Sequence, residues 1–228
     1  MPPPHQPTFD WRAAVAGKYF VLLASLLLLG ALYPLIDLGD VGHRTWLIAF
    51  WLVLLGGQQA ILGHRIVLRV VRGVAIVALV TSLASLIFFD SASITTAVAA
   101  ANLVFLVVTT TTLLLDVFTG PRVDFDRIVG AICVYLLIGM TFAFLYYLLA
   151  SFGPPPLRTI IGPEAPRLAT CLYFSFVSLT TLGYGDVVPQ TAFARLFGSV
   201  EAVVGQVYLT VLVARLVGMH LAQRHPAP

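Results

Sequence analysis

The residues with the most specific chemistry form one stretch, Thr180–Asp186, with the sequence Thr-Thr-Leu-Gly-Tyr-Gly-Asp. It lies between two apolar segments and is too short to form a helix of its own. Successive backbone carbonyls can face one axis only if the residues alternate in handedness, and glycine reaches positive φ without steric cost. Glycine occupies every second position, Gly183 and Gly185, and Thr181 adds a hydroxyl at one end. This composition is typical of a filter whose oxygens replace the water around an ion.

The stretch resembles the selectivity filter of the tetrameric potassium channels, whose consensus is Thr-Val-Gly-Tyr-Gly-Asp. Leu182 is the one departure from that consensus, and we expect its side chain to pack behind the filter. The resemblance covers Arg127 to about Gly218, which implies an outer helix, a pore helix, the filter and an inner helix. The first half of the chain contributes nothing to it.

The resemblance implies a role for each residue of the stretch. Potassium would bind to the carbonyl oxygens of four successive residues, Thr181, Leu182, Gly183 and Tyr184, with the Thr181 hydroxyl as a further ligand. Gly185 would complete the filter, Thr180 would support it from below, and Asp186 would cap it externally. Each chain offers one such loop, so a ring of oxygens requires symmetry copies. The resemblance implies a homotetramer, with potassium as the permeant ligand and without a cofactor.

The support of Asp186 departs from the pattern of some family members. In those proteins a pore-helix glutamate, four residues before the filter threonine, bonds the filter aspartate. Val177 stands at the matching position here. Asp186 must therefore find another partner, and Tyr173 and water are the two candidates.

Two residues of the last apolar segment are further candidates. Gly205 lies nineteen residues beyond Asp186, which matches the hinge glycine of the family. Since glycine costs about 1 kcal/mol in a helix relative to alanine, it indicates either bending or a close helix contact.

Glu201 would be a carboxylate inside the membrane, which suggests a function. It would either bond the pore helix behind the filter or add negative potential to the ion cavity.

The composition predicts a membrane protein. Of the 228 residues, 59% are hydrophobic and only 10% are charged, whereas a soluble domain has about 25% charged residues. No basic stripe remains once the loops are assigned, so we expect no nucleic-acid partner. Cys133 and Cys171 are predicted to be free, buried thiols, because cysteine often behaves as a small hydrophobic residue.

A spanning helix needs about 20 mostly apolar residues, and six runs qualify. They are Tyr19–Leu38, Trp46–Leu62, Val70–Phe89, Ile94–Phe118, Ile128–Phe152 and Ala194–Leu221. The shorter run Leu168–Leu179 suits a re-entrant helix. The predicted fold is an all-α membrane protein with a tail at 1–18, a four-helix domain at 19–118 and a pore domain at 119–228. The pore domain divides into an outer helix at 128–152, a pore helix at 168–180, the filter at 181–186 and an inner helix at 194–221.

The distribution of basic residues predicts the orientation. With the N-terminus in the cytoplasm, nine of the thirteen Lys and Arg residues lie on or near the cytoplasmic side. Both termini are then cytoplasmic and the filter faces outward across the plasma or inner membrane. Arg65, Arg69 and Arg72 share one helical face, which indicates either an anchor at the inner surface or a contact with anionic lipid.

The predicted function is passive, potassium-selective conduction. The fourth run contains no Lys or Arg, so we expect weak or no intrinsic voltage sensing. The chain is not expected to be an enzyme, because Asp186 lacks the paired histidine and nucleophile of a hydrolase. Three alternatives stay open: a weakly selective cation channel of the same fold, a secondary transporter and a non-conducting channel subunit. A transporter would require matching broken helices in both halves, and only one interrupted segment is present.

Overall fold

The computed structural model of the chain describes residues 17–35, 40–60, 65–87, 92–119, 124–160 and 168–224. Within these ranges the chain forms seven α-helices and two short strands. They are α1 Phe20–Ala31, α2 Asp40–Ala60, α3 Arg65–Ile87, α4 Ala92–Thr119, α5 Phe125–Leu149, β1 Leu157–Thr159, α6 Leu168–Leu179, β2 Val187–Pro189 and α7 Ala192–Arg224. A single 3₁₀ turn, Tyr33–Leu35, follows α1.

Four of the described helices, α3, α4, α5 and α7, are long and apolar enough to cross a membrane. The helical, membrane-spanning character predicted from the sequence is therefore confirmed. The first predicted span is shorter than expected. A 3₁₀ turn containing Pro34 follows α1 after its twelve helical residues. Helix α2, Asp40–Ala60, has 21 residues, and Thr45–Gln58 is its apolar part among the described side chains.

Helices α1, α2 and α4 contact α5 of the same chain, and α3 packs on α4. Trp46 and Phe50 of α2 stack on each other at 5.5 Å, and both rings contact Phe144 of α5, at 6.2 and 5.4 Å. Thr110 of α4 lies 3.4 Å from Thr141 of α5, between their hydroxyl oxygens. These contacts place the four-helix part against α5, which packs in turn on α6, the helix directly before loop 180–186.

A polar cluster connects the start of α1 to the C-terminal end of α4 and the N-terminal end of α5. Lys18 forms an ion pair with Asp116 at 2.5 Å, and the Tyr19 hydroxyl donates a hydrogen bond to the same carboxylate. The Tyr19 ring lies so close to Gly130 that an added Cβ would come within 2.7 Å of it. Asp124 caps the N-terminus of α5 by accepting a hydrogen bond from the backbone N–H of Arg127, at 2.9 Å.

A two-stranded antiparallel ribbon adjoins the C-terminal end of loop 180–186. β1 pairs with β2 in the register Leu157 to Pro189 and Thr159 to Val187. The backbone N–H of Ile160 donates to the carbonyl of Asp186 at 2.8 Å, which extends the pairing to the end of the loop. The ribbon therefore holds the exit of the loop on the segment that follows α5.

Helix α7 packs one face on α5 and α6. The Tyr208 hydroxyl donates to the carbonyl of Ala131 at 2.7 Å, and Arg215 lies 5.2 Å from the centre of the Phe118 ring. Another face of α7 carries large apolar side chains that are exposed in the single chain, at alternating spacings of three and four residues. They are Phe193, Leu196, Val200, Val203 and Val207. This spacing gives the helix one continuous apolar stripe without a partner in the described chain.

Candidate functional site

Loop 180–186 follows α6 directly, and its backbone alternates in handedness. Thr181, Gly183 and Gly185 have φ of 57°, 61° and 78°. The predicted positive φ at the two glycines is present. Thr181 is a third such position that the sequence pattern does not reveal, because a β-branched residue rarely adopts this conformation. Such strain persists only where the surroundings enforce it, and it is concentrated at functional sites.

The start of the loop is hydrogen-bonded to the last turn of α6. The backbone N–H of Thr181 donates to the carbonyl of Ser178, and that of Leu182 donates to the carbonyl of Val177, both at 2.9 Å. Residues 180 to 185 are exposed in the single chain. The alternating backbone can turn successive carbonyls toward one side, which is the arrangement that coordinates a dehydrated cation.

The side chains of Leu182 and Tyr184 line an apolar cavity of about 670 Å³. The cavity lies between the loop, α6 and the end of α1, and its lining includes Leu172, Phe176 and Val177. Leu182 is 56% exposed and Tyr184 67% exposed. The sequence predicts that Leu182 packs behind the loop. In the single chain it faces this open cavity instead.

Asp186 is held by two hydrogen bonds. The Tyr173 hydroxyl donates to one carboxylate oxygen at 2.7 Å, and the backbone N–H of Val187 donates to the other at 3.0 Å. Tyr173 is one of the two candidate partners named from the sequence, and Val177 lies elsewhere, in the lining of the apolar cavity. The bond to Asp186 raises the pKa of Tyr173 to about 12, so the phenol stays protonated and remains a donor.

If loop 180–186 lines an ion pore, as its resemblance implies, Tyr173→Phe is expected to accelerate the decay of current through that pore. The substitution keeps the ring and removes only the hydroxyl that restrains Asp186 at the C-terminal end of the loop. Patch recording during sustained activation measures the decay. Val177→Glu is the complementary variant, since it supplies a second partner for Asp186 and is expected to change the decay rate even with Tyr173 present. Unchanged decay in both variants would contradict a supporting role for these positions.

Glu201 of α7 is completely buried behind the loop. Its carboxylate accepts a hydrogen bond from the Tyr146 hydroxyl of α5 at 2.7 Å and another from the Ser175 hydroxyl of α6. The Ser175 oxygen also lies 2.6 Å from the carbonyl of Gly139 on α5. Three helices thus meet at one carboxylate. Of the two roles considered from the sequence, the contact with α6 is present, whereas full burial separates Glu201 from any water-filled cavity.

Tyr146→Phe is expected to destabilise the protein by about 1–3 kcal/mol, because it leaves one buried oxygen of the Glu201 carboxyl group without its hydrogen-bond donor. Thermal unfolding in detergent, followed by size-exclusion chromatography, measures the loss. Tyr147→Phe is the matched control: it is the next residue on α5, and its hydroxyl bonds to no described residue. Equal effects of the two substitutions would show that the hydrogen bond from Tyr146 to Glu201 does not contribute to stability.

Gly205 lies against the end of α6. A Cβ at this position would come within 2.3 Å of the Leu179 carbonyl oxygen, and the Tyr135 hydroxyl donates to that same oxygen at 3.3 Å. This geometry favours the close-contact interpretation of Gly205 over the hinge. The helix carries glycine here because any side chain would collide with backbone.

Some residues of the site carry no signal in the sequence. Tyr146, Ser175 and Tyr135 look like ordinary residues of apolar helices, and only the packing of α5, α6 and α7 shows what they contact. Gln206 is the exception: it is an amide within an apolar run, next to Gly205, and that contrast was available from the sequence. Its Nε2 donates to the Thr181 hydroxyl at 3.3 Å.

Comparison with known proteins shows what the C-terminal part of the chain is similar to. A family model described as an ion channel matches residues 128–220. Two pore potassium channel c of rice (Oryza sativa subsp. japonica) is 36% identical over 83 residues, which is 36% of this chain and 16% of that protein. Residues 128–220 therefore resemble ion channels by the family model, and the relatives that align with part of this segment are potassium channels. This confirms the predicted resemblance to potassium channels for this segment.

Other relatives agree with this assignment. The voltage-gated potassium channel Kch of Escherichia coli K12 is 35% identical over 77 residues, covering 33% of this chain and 18% of that protein. Two-pore potassium channel 1 of Arabidopsis thaliana is 28% identical over 101 residues, covering 44% and 25%. The matched segments therefore span a quarter or less of these three relatives. No solved structure matches the chain significantly.

Proposed function

We propose that this protein is a potassium-selective channel that conducts K⁺ passively through a central pore formed by four copies of the chain. The observation that carries the proposal is the alternating backbone of loop 180–186 at the end of α6. Thr181, Leu182, Gly183 and Tyr184 would direct their carbonyl oxygens at the pore axis, with Gly185 completing the filter. Stacked oxygen sites replace the hydration shell of K⁺, and repulsion between neighbouring ions speeds exit.

The exposed surfaces of the chain support assembly from several copies. One loop supplies one side of a pore, so closure requires further copies arranged around an axis. Leu182 and Tyr184 are exposed, and α7 carries the apolar stripe that begins at Phe193 and ends at Val207. Contiguous apolar surface beside the loop is expected to meet either a neighbouring subunit or lipid.

The first four helices are proposed to form a domain without voltage-sensing charges. Residues 92–119 of α4 contain no Lys or Arg, whereas steep voltage dependence needs several charges per subunit. We propose six membrane spans in total, with both termini in the cytoplasm. Arg69 and Arg72 are exposed on α3. With Arg65, whose side chain lies outside the described residues, they are proposed to contact anionic lipid at the inner surface.

Potassium uptake into liposomes that contain the purified protein tests the conduction proposal. We expect uptake down a K⁺ gradient that Ba²⁺ blocks, and a reversal potential in mixed K⁺ and Na⁺ close to that of K⁺. A reversal potential midway between the two would favour the weakly selective cation channel. Uptake that saturates and depends on a coupled ion would favour a transporter. Absence of uptake by protein that is folded and assembled would favour the non-conducting subunit.

A further inference from the structure

We propose that Gln206 is a positioning residue for the innermost ion site, through which α7 sets the geometry and charge of that site. The inference rests on the proposed function, because it assigns a role within the proposed ion path. The side chain of Gln206 belongs to α7, yet it reaches the first residue of the filter. Its Nε2 donates a hydrogen bond to the Thr181 hydroxyl oxygen at 3.3 Å.

The neighbouring glycine brings Gln206 into range. At Gly205, α7 approaches the Leu179 carbonyl so closely that an added Cβ would lie 2.3 Å from its oxygen. This contact brings the backbone of α7 against the last turn of α6, two residues before Thr181. The next side chain on α7 is therefore directed at the start of the loop. Gly205 thus allows the close approach of α7 to α6, and Gln206 makes the hydrogen bond to Thr181.

Gln206 occupies one of the two lone pairs of the Thr181 hydroxyl. That hydroxyl donates its own proton to the carbonyl of Thr180 at 2.7 Å. A threonine hydroxyl has one donor and two acceptor sites, so the amide of Gln206 leaves a single lone pair for a cation. The order of donation runs from Gln206 to Thr181 to Thr180. It fixes the direction of the remaining lone pair and places the positive end of an N–H dipole beside the site.

The strained backbone of Thr181 shows why such a contact is needed. Its φ of 57° is rare for a β-branched residue, and strain of this kind persists only where other contacts enforce it. The hydrogen bonds from Gln206 and to Thr180 are two such contacts. Because Gln206 is itself exposed, its amide is available to the proposed ion path and is not an ordinary buried packing group.

The expected consequence is a change in divalent block. Without the Gln206 N–H, both lone pairs of the Thr181 hydroxyl become available and a nearby positive dipole is removed. Ba²⁺ responds more strongly than K⁺ because it carries two charges. Gln206→Met keeps the length of the side chain and removes the donor. We expect it to lower the dissociation constant for Ba²⁺ by about fivefold, the size expected for one neutral hydrogen bond.

The experiment measures Ba²⁺ block of potassium uptake in liposomes for the wild type, Gln206→Met and Gln206→Leu. Gln206→Leu is a second variant with a different shape, so the result does not depend on how one substitution packs. Thr210→Val is the matched control, since Thr210 is also exposed on α7, one turn further on, and its hydroxyl bonds to the carbonyl of Gln206 within the helix at 2.8 Å. We expect less than a twofold change in the control.

A double-mutant cycle separates positioning from a general effect on the pore. In a Thr181→Val background the hydroxyl is absent, so Gln206→Met is expected to change Ba²⁺ affinity by less than twofold. A fivefold effect in both backgrounds, or unchanged block in the wild-type background, overturns the inference and leaves the proposed function intact. Absence of uptake by the wild-type protein overturns the proposed function and the inference together.

Discussion

Gly205→Ala is expected to destabilise the protein by about 1–3 kcal/mol and to abolish potassium uptake, although alanine is the better helix former. The two interpretations of Gly205 predict opposite signs. If glycine served only to let α7 bend, alanine would stabilise the helix by about 1 kcal/mol. The added methyl would instead lie 2.3 Å from the Leu179 carbonyl oxygen, and a backbone atom cannot move aside by a change of rotamer. The steric cost therefore exceeds the gain in helix propensity.

The effect on conduction is expected because Gln206 and the end of α6 both lie beside Gly205. Moving α7 away from Leu179 also withdraws Gln206 from Thr181 and loosens the end of α6 from which the loop begins. Thermal unfolding in detergent and uptake into liposomes measure the two effects. Gly218→Ala is the matched control on the same helix, because an added Cβ at Gly218 meets no described atom within 4 Å. A stabilising effect of Gly205→Ala equal to that of the control would restore the hinge interpretation.

Gly183→Ala is expected to reduce potassium uptake by more than about tenfold while the protein still folds. Gly183 has φ of 61°, and an L-residue with a Cβ costs about 1–2 kcal/mol in that conformation. No described atom lies within 4 Å of the added methyl, so the effect comes from backbone conformation and not from a collision. In the proposed tetramer four copies carry the same cost, and relaxation of the loop would turn carbonyls away from the axis.

The control for this prediction is Gly153→Ala. Gly153 is also exposed, an added Cβ there meets no described atom within 4 Å, and its φ lies outside the left-handed region. We expect unchanged uptake in that variant. Size-exclusion chromatography of both proteins reports whether assembly is preserved. Full uptake by Gly183→Ala would show that conduction, if present, does not pass through loop 180–186.

Residue types alone are enough to predict the resemblance to potassium channels, the membrane-spanning character and the position of loop 180–186. The glycines at 183 and 185 predict left-handed backbone because only glycine adopts it without cost, and that rule needs no knowledge of the rest of the fold. The apolar runs predict the helices in the same way, because burial in lipid requires about 20 apolar residues wherever the segment lies. Pro34 shows the limit of this prediction, since α1 ends at Ala31, three residues before the proline, within the longer and mostly apolar run Tyr19–Leu38.

Tertiary structure decides which partners the site residues have. Tyr146 and Glu201 are 55 residues apart in the chain, and Gln206 and Thr181 are 25 apart, so no local pattern records either contact. Gly205 is compatible with a hinge or with close packing until the Leu179 carbonyl is placed beside it. The left-handed backbone of Thr181 contradicts its own propensity, because contacts from other parts of the chain outweigh a local preference of a few kcal/mol. The left-handed backbone at Gly183 and Gly185 is thus predictable from the residue types, whereas the support of the loop depends on how α5, α6 and α7 pack.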